Sequence, residues 1–445
     1  MDAAMKRSLL ILVFVSALNT AFAIQPQISP APPPAAIVSP DNPKAFEPAT
    51  ATKAWLDTVP ADKREKSDAY FEGGYWLLLW DFLVGVAISI FLLQSRISAR
   101  LRDFAERTTK SKSLQVILYL IPFVILVAAL SFPMTIYEQF YREHKYDLAT
   151  QTFGPWFGEQ LKGLVIALIA VSIVLPIIYI GLRRAPRTWW IFGTAIAVAF
   201  SILGNFIAPV FVFPLFNKYT PLDDPAIRDP ILAMARANQI PVDQVFLVDA
   251  SRQTTRVSAN VAGLFGTTRI ALNDNLLNQC SLPEIREVMG HEMGHYVLNH
   301  GMKLTLYQGV FYFVAFALMT ALFHRAQKKY GERWRVRGID DPAGLPLLVL
   351  IFSAISFIVT PLSNTMIRVT EREADQFGLN TSREPDGFAA VALKLGKYRK
   401  LDPGPIEEMI FFDHPSGRAR IRMAMDWKAA QLPCGDVVDL AKTAR

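Results

Sequence analysis

The sequence predicts a mainly α, polytopic helical membrane protein of six or seven spans, with a smaller mixed α+β domain outside the bilayer. Three observations predict it. Hydrophobic residues make up 52% of the 445 residues and charged residues 19%, where soluble domains carry about 25% charge. Five runs lack any ionisable residue over lengths that can cross hydrocarbon. One long segment between such runs instead alternates helix-like and strand-like patterns. The apolar excess excludes disorder for most of the chain. Two cysteines exclude a disulfide framework and a four-thiolate metal site. The net charge of +7 is accounted for by basic residues flanking spans rather than by nucleic-acid binding, and no nucleic-acid partner is expected.

From the N-terminus, Lys6 and Arg7 precede an apolar core, Leu9–Leu18, and then Ala21-Phe22-Ala23. Residues 1–23 therefore read as a secretory signal peptide cut after Ala23, or as a short first span. Ile24–Pro48 holds eight prolines in 25 residues and reads as an extended linker within a proline-rich extramembrane segment, 24–72. Gly73–Ser95 is apolar except for Asp81, which lies beside Tyr75, Trp76 and Trp80, the composition of an interfacial aromatic belt. The charge-free runs are Ser113–Tyr137, Gly163–Leu182, Thr188–Asn217, Leu304–Phe323 and Pro342–Ile367. Thr188–Asn217, at 30 residues, exceeds the roughly 20 a span needs, so an irregular end is expected. This divides the chain into a membrane domain (73–217), an extramembrane domain (218–303), a membrane helix pair (304–367) and a C-terminal part (368–445). The loops Arg96–Lys112, Arg183–Arg187 and Arg325–Arg337 carry six, three and six Lys/Arg. The positive-inside rule places them in the cytoplasm and residues 218–303 on the outer, periplasmic side of what reads as a bacterial inner membrane.

Within 218–303, Asp229–Asn238 reads as a helix and Gln244–Val248 as a strand. Ser258–Phe265 and Arg269–Leu272 read as a hairpin across Gly266-Thr267-Thr268. Ser281-Leu282-Pro283-Glu284 is a capping box with proline in the first turn, so a helix starts there. That helix runs into His291-Glu292-Met293-Gly294-His295. Residues four apart share a helix face, so His291 and His295 can present two imidazoles to one ion. Glu292, beside the first ligand, suits a general base acting on water. This pattern marks the extramembrane domain as a zincin-like catalytic domain holding one Zn2+ per chain. His300, five residues on, falls off the ligand face and reads as structural.

A third ligand is needed. After the last run stands Arg368-Val369-Thr370-Glu371-Arg372-Glu373-Ala374-Asp375. Glu371 and Asp375 share a helix face, so one can ligate while the other hydrogen-bonds a ligating histidine. Glu373 projects elsewhere. A helical hairpin returns this segment to the side of the membrane that holds HExxH.

HExxH, a span pair and then E-x-x-A-D resemble the type I CAAX prenyl endopeptidases, integral-membrane zinc metalloproteases, over most of the chain from about Gly73. Pro214-Leu215-Phe216-Asn217-Lys218, Asp249-Ala250-Ser251-Arg252, Ser258-Ala259-Asn260 and Arg269-Ile270-Ala271-Leu272 carry the likeness further, as does His414-Pro415 with Arg420 six beyond. The resemblance implies that Glu371 is the third zinc ligand and Asp375 the acid behind a ligand. It also implies that His414 and Arg420 contact substrate or oxyanion, that Asn260 contacts the substrate backbone, and that the helices enclose a hydrated chamber. Val261-Ala262 and Ile367 depart from the family pattern, and so does the outward-facing site. The activity implied is hydrolysis of peptide bonds in membrane-associated peptides or proteins, the bilayer being the other partner. Membrane-protein quality control of the HtpX type uses the same chemistry. A transporter with a structural zinc site is a competing class, but such a site needs no acid in the place of Glu292.

Overall fold

The computed structural model describes residues 46–263 and 268–431; the leader and most of the proline-rich linker lie outside them. The chain forms a helical bundle capped at one end by a four-stranded sheet and short helices. The bundle contains α2 (Ala61–Gln94), α4 (Lys112–Lys145), α5 (Phe153–Arg184), α10 (His300–Trp334) and α11 (Leu345–Ser382), all long and apolar enough to cross a membrane. The shorter α6 (Trp189–Ile207) lies between α5 and α10 in sequence. Its charge-free run does end irregularly: the helix widens into a π turn at Ala208–Val212 and tightens at Phe213–Leu215. Pro209 and Pro214 remove two amide donors there, so a regular ladder cannot continue.

The first spanning helix starts earlier than the charge pattern suggested. Residues 61–72 are helical and continuous with it, so the helix runs unbroken through Gly73. Upstream, α1 (Pro48–Asp57) is also helical. Pro48 occupies the first turn, and the Glu47 carboxylate accepts from the amides of Ala49 and Thr50, a capped start that residue type permits. Ala51 and Leu56 of α1 bury against Phe388, Ile421 and Met425 of the C-terminal part. This contact, invisible in local sequence, is what orders the segment.

The basic end of the bundle is closed by α3 (Ile97–Thr108). Arg102, buried, bonds the Asp341 carboxylate at 2.6 Å and the Arg335 carbonyl at 2.8 Å. Tyr119, Tyr179, Trp189, Phe316 and Phe323 form the core above it. On the bundle surface Trp76 and Trp80 are exposed. Tyr75 instead turns inward, donating to Glu407 at 2.7 Å and stacking on Phe411.

The extramembrane domain begins with β1 (Tyr219–Pro221), α7 (Pro225–Ala237) and β2 (Val245–Val248), followed by β3 (Ala259–Ala262), β4 (Arg269–Asn273) and the short α8 (Asp274–Gln279). Strand order is β1-β2-β4-β3. β2 and β4 are parallel, while β3 pairs antiparallel with β4, Asn260 opposite Ala271, and forms one edge. Ile231, Val245, Ile270 and Leu272 pack on Met289 and Met293 of α9 (Leu282–Val297). The capping box at its start is present: Ser281 N–H and hydroxyl both reach Glu284. The chain closes with α12 (Pro385–Leu395), α13 (Pro405–Phe411) and α14 (Gly417–Gln431).

Candidate active site

The site lies where α9 touches α11. The two helices meet at backbone distance because small residues face each other. A Cβ on Gly378 would stand 2.9 Å from the His291 amide nitrogen, and one on Gly290 would stand 3.0 Å from the Gly378 carbonyl oxygen. A Cβ on Gly294 would stand 3.1 Å from that of Phe377. Close contact one to two turns along α11 from Glu371 brings that carboxylate up against the HExxH face.

Three donor atoms converge. His291 Nε2 and His295 Nε2 are 3.1 Å apart, and Glu371 oxygens lie 3.4 Å from the first and 3.6 Å from the second. Ligands held at about 2.0–2.1 Å on a tetrahedron stand roughly 3.3–3.4 Å from one another. With a different Glu371 oxygen nearest each imidazole, the separations are near those of a metal site. The chemistry of Glu371 agrees: its Oε2 is buried and has no hydrogen-bond partner, although imidazole nitrogens crowd it. An anionic oxygen so placed is costly unless a cation meets it.

Behind the first imidazole, His291 Nδ1 donates to Asp375 Oδ1 at 2.8 Å. Burial pulls His291 down, but the hydrogen bond to Asp375 and the charge of the nearby Glu371 carboxylate outweigh it and raise the ring to about 10. Asp375 is fully buried and receives both arms of the Arg420 guanidinium, Nε at 3.0 Å from Oδ2 and the terminal nitrogen on Oδ1. Arg420, itself buried, also lies over the Phe388 ring. Where a substrate or oxyanion contact was expected of Arg420, the structure shows two of its nitrogens on Asp375, which in turn faces His291.

His414 reaches the cluster, its Nε2 3.2 Å from Glu371 Oε2 and its Nδ1 2.7 Å from Asp413. Burial first, then the Arg399 charge, pulls this ring down to about 4. Arg368 ties the loop carrying His414 to α11 by donating to the carbonyls of Glu408, at 2.9 Å, and Phe412. Glu292 is half-buried on the turn between the two histidines. Asn260 sits on edge strand β3, facing opposite Val261, whose side chain packs into the core with Met289 and Met293. It makes no hydrogen bond to the cluster among the described residues.

Spacing put His300 off the ligand face, and it is outside the donor set, but it lies closer to the site than spacing suggests. His300 is not separated from the site: α9 ends at Val297, Asn299 adopts a left-handed conformation (φ 53°), and α10 restarts at His300. The break swings His300 Nδ1 to 3.0 Å from His295 Nδ1. Asn299 was the available signal, since asparagine enters this backbone region more readily than most residues.

Comparison with known proteins identifies the frame around these residues. Residues 221–428 match the family model for peptidase family M48, and residues 46–218 match the CAAX prenyl protease N-terminal domain, described as five membrane helices. The chain is 30% identical to the metalloprotease YhfN of Bacillus subtilis, over 77% of this chain and 82% of that protein. It is 27% identical to CAAX prenyl protease 1 of Saccharomyces cerevisiae, over 66% and 68%. The crystal structure of S. mikatae Ste24p superposes with a TM-score of 0.70 at 20% identity, covering 85% of this chain and 95% of that one. Family model, relatives and fold agree with one another, and the chain belongs to peptidase family M48 as a multi-pass membrane metalloprotease similar to CAAX prenyl protease 1.

Proposed function

We propose that the chain is a zinc endopeptidase that cuts membrane-associated peptides, with His291, His295 and Glu371 holding the metal. The buried, unpartnered Glu371 oxygen beside two facing imidazole nitrogens carries this reading. Two neutral nitrogens and one carboxylate suit zinc in a catalytic site, where three protein ligands leave one position open. When bound, zinc supplies Lewis acidity, making water nucleophilic near neutral pH and polarising the scissile carbonyl.

The chain's own residues supply the rest. Glu292 accepts the proton of the attacking water at its carboxylate and delivers it to the leaving amine. His414 faces the same space. At rest its ring is neutral; the Asp413 hydrogen bond on Nδ1 favours the charged form, and negative charge developing on the carbonyl oxygen near Nε2 favours it further. Edge strand β3 offers backbone groups to an extended substrate, with Asn260 within it. Asp375 and Arg420 hold His291 in register.

Relatives named CAAX prenyl protease 1 support a lipidated C-terminal peptide as substrate. The loop charges, read by the positive-inside rule, and a leader that reads as a signal peptide or a short first span favour an outward-facing site with exported or membrane-inserted clients, and internal cuts in such clients are the second reading. The experiment combines metal analysis of purified protein with cleavage-site mapping on a membrane-anchored peptide library. Glu292→Gln is expected to abolish cleavage while one zinc per chain remains. Retained cleavage would overturn the mechanism, and the cut positions separate the two substrate classes.

A further inference from the structure

The two imidazoles of the triangle have different supports. Behind His291 stands a carboxylate; behind His295 stands another imidazole. His295 Nδ1 is 3.0 Å from His300 Nδ1, and His300 Nε2 is 3.0 Å from Glu373 Oε2. Lys303 Nζ reaches the two Glu373 oxygens at 2.9 and 2.7 Å. His300 is 1% exposed, so no water competes for its ring nitrogens.

The protons along this chain have one arrangement that satisfies every contact and leaves His295 able to ligate. Lys303 only donates, so Glu373 accepts from it as a carboxylate, and Glu373 therefore accepts from His300 as well. That places the His300 proton on Nε2 and leaves Nδ1 a bare acceptor. His295 must then carry its own proton on Nδ1, which leaves Nε2 bare, pointing at His291 Nε2 and Glu371. A ligating nitrogen is fixed by the hydrogen bond its opposite nitrogen makes.

We propose that His300, held by Glu373 and Lys303, is the positioning residue that sets the tautomer and ring orientation of His295. It is the neutral counterpart of the Asp375–Arg420 pair behind His291. The inference rests on the zinc reading above. It also gives the left-handed Asn299 a role: with α9 continuing straight into α10, the fifth residue after His295 would face elsewhere.

The test uses the full-length protein in detergent, stripped of metal, with zinc affinity measured against a competing chelator and the visible spectrum of the cobalt-loaded form recorded. His300→Phe fills the space without an acceptor. It is expected to bind zinc about 10–100-fold more weakly and to shift the cobalt bands. His300→Asn places an amide oxygen near the Nδ1 position and is expected to recover most of that affinity. Should the phenylalanine variant not fold, Glu373→Ala, at a half-exposed position, is read instead; several-fold weaker binding with shifted cobalt bands is expected. Wild-type affinity and an unchanged cobalt spectrum in either variant, with only a lowered melting temperature, would overturn the proposal by leaving His300 a packing residue. So would an asparagine variant as weak as the phenylalanine one. A wild-type protein that takes up no zinc would overturn the metal reading itself, and this inference with it.

Discussion

On the proposed mechanism, His414 is the residue whose removal separates chemistry from binding. Its Nε2 lies at the edge of the triangle, 3.2 Å from Glu371, where charge builds only during reaction. Loss of a group stabilising an oxyanion costs about 10²–10³ in kcat. His414→Ala is expected to show that loss with little change in KM and with zinc retained; steady-state kinetics on a mapped peptide checks it. At this scale, spacing alone revealed much. HExxH and the Glu371/Asp375 pair are each set by one helical turn, so their shared faces could be read directly. Arg420 and His300 could not be placed that way. The first finds Asp375 through packing of α14 on α11. The second depends on one left-handed residue that reverses the outcome of counting along a helix.

Contact between α9 and α11 makes the site, and two predictions belong to it. Gly378 has no room for a methyl group: a Cβ there would stand 2.7 Å from a Glu287 carboxylate oxygen and 2.9 Å from the His291 backbone nitrogen. Gly378→Ala is expected to push the helices apart by tenths of an ångström and to destabilise by about 1–3 kcal/mol. It should weaken metal binding more than Ala substitutions on the bundle surface do, as thermal melts with and without added zinc will show. Glu287 lies in the same interface, fully buried, accepting from the Ser382 hydroxyl. Burial, against that hydrogen bond, pushes its carboxyl up to about 8. The folded state therefore holds a proton that the unfolded chain releases near its ordinary value of 4.5. Stability falls as pH rises from about 4.5 to 8, by up to roughly 1.4 kcal/mol per pH unit. Glu287→Gln is expected to flatten that slope relative to wild type, measured as melting temperature in detergent between pH 5 and 8. The helical hairpin and the capped start of α9 were readable from charge-free runs and the capping box. Helix α1 was not, because its order comes from Ile421 and Met425, far along the chain.

Over the whole molecule, the donors and the basic loops stand at opposite ends. α10 leaves the site at His300 and reaches Trp334 among basic residues after 35 residues, about 50 Å at 1.5 Å per residue. α11 then returns to Glu371. With the basic end cytoplasmic, a single cysteine at Lys329→Cys, in a chain lacking Cys280 and Cys434, is expected to resist an impermeant maleimide in intact cells. It should react in inverted vesicles; the reverse pattern would place the site on the cytoplasmic side. The hairpin also has a consequence for biogenesis. During synthesis the imidazoles emerge well before the carboxylate that completes their set, and two lipid-spanning segments must be threaded before the three can meet. A nascent chain stalled on the ribosome carries a harmless half-site. On the zinc reading, the donor set is complete only once both segments have been inserted.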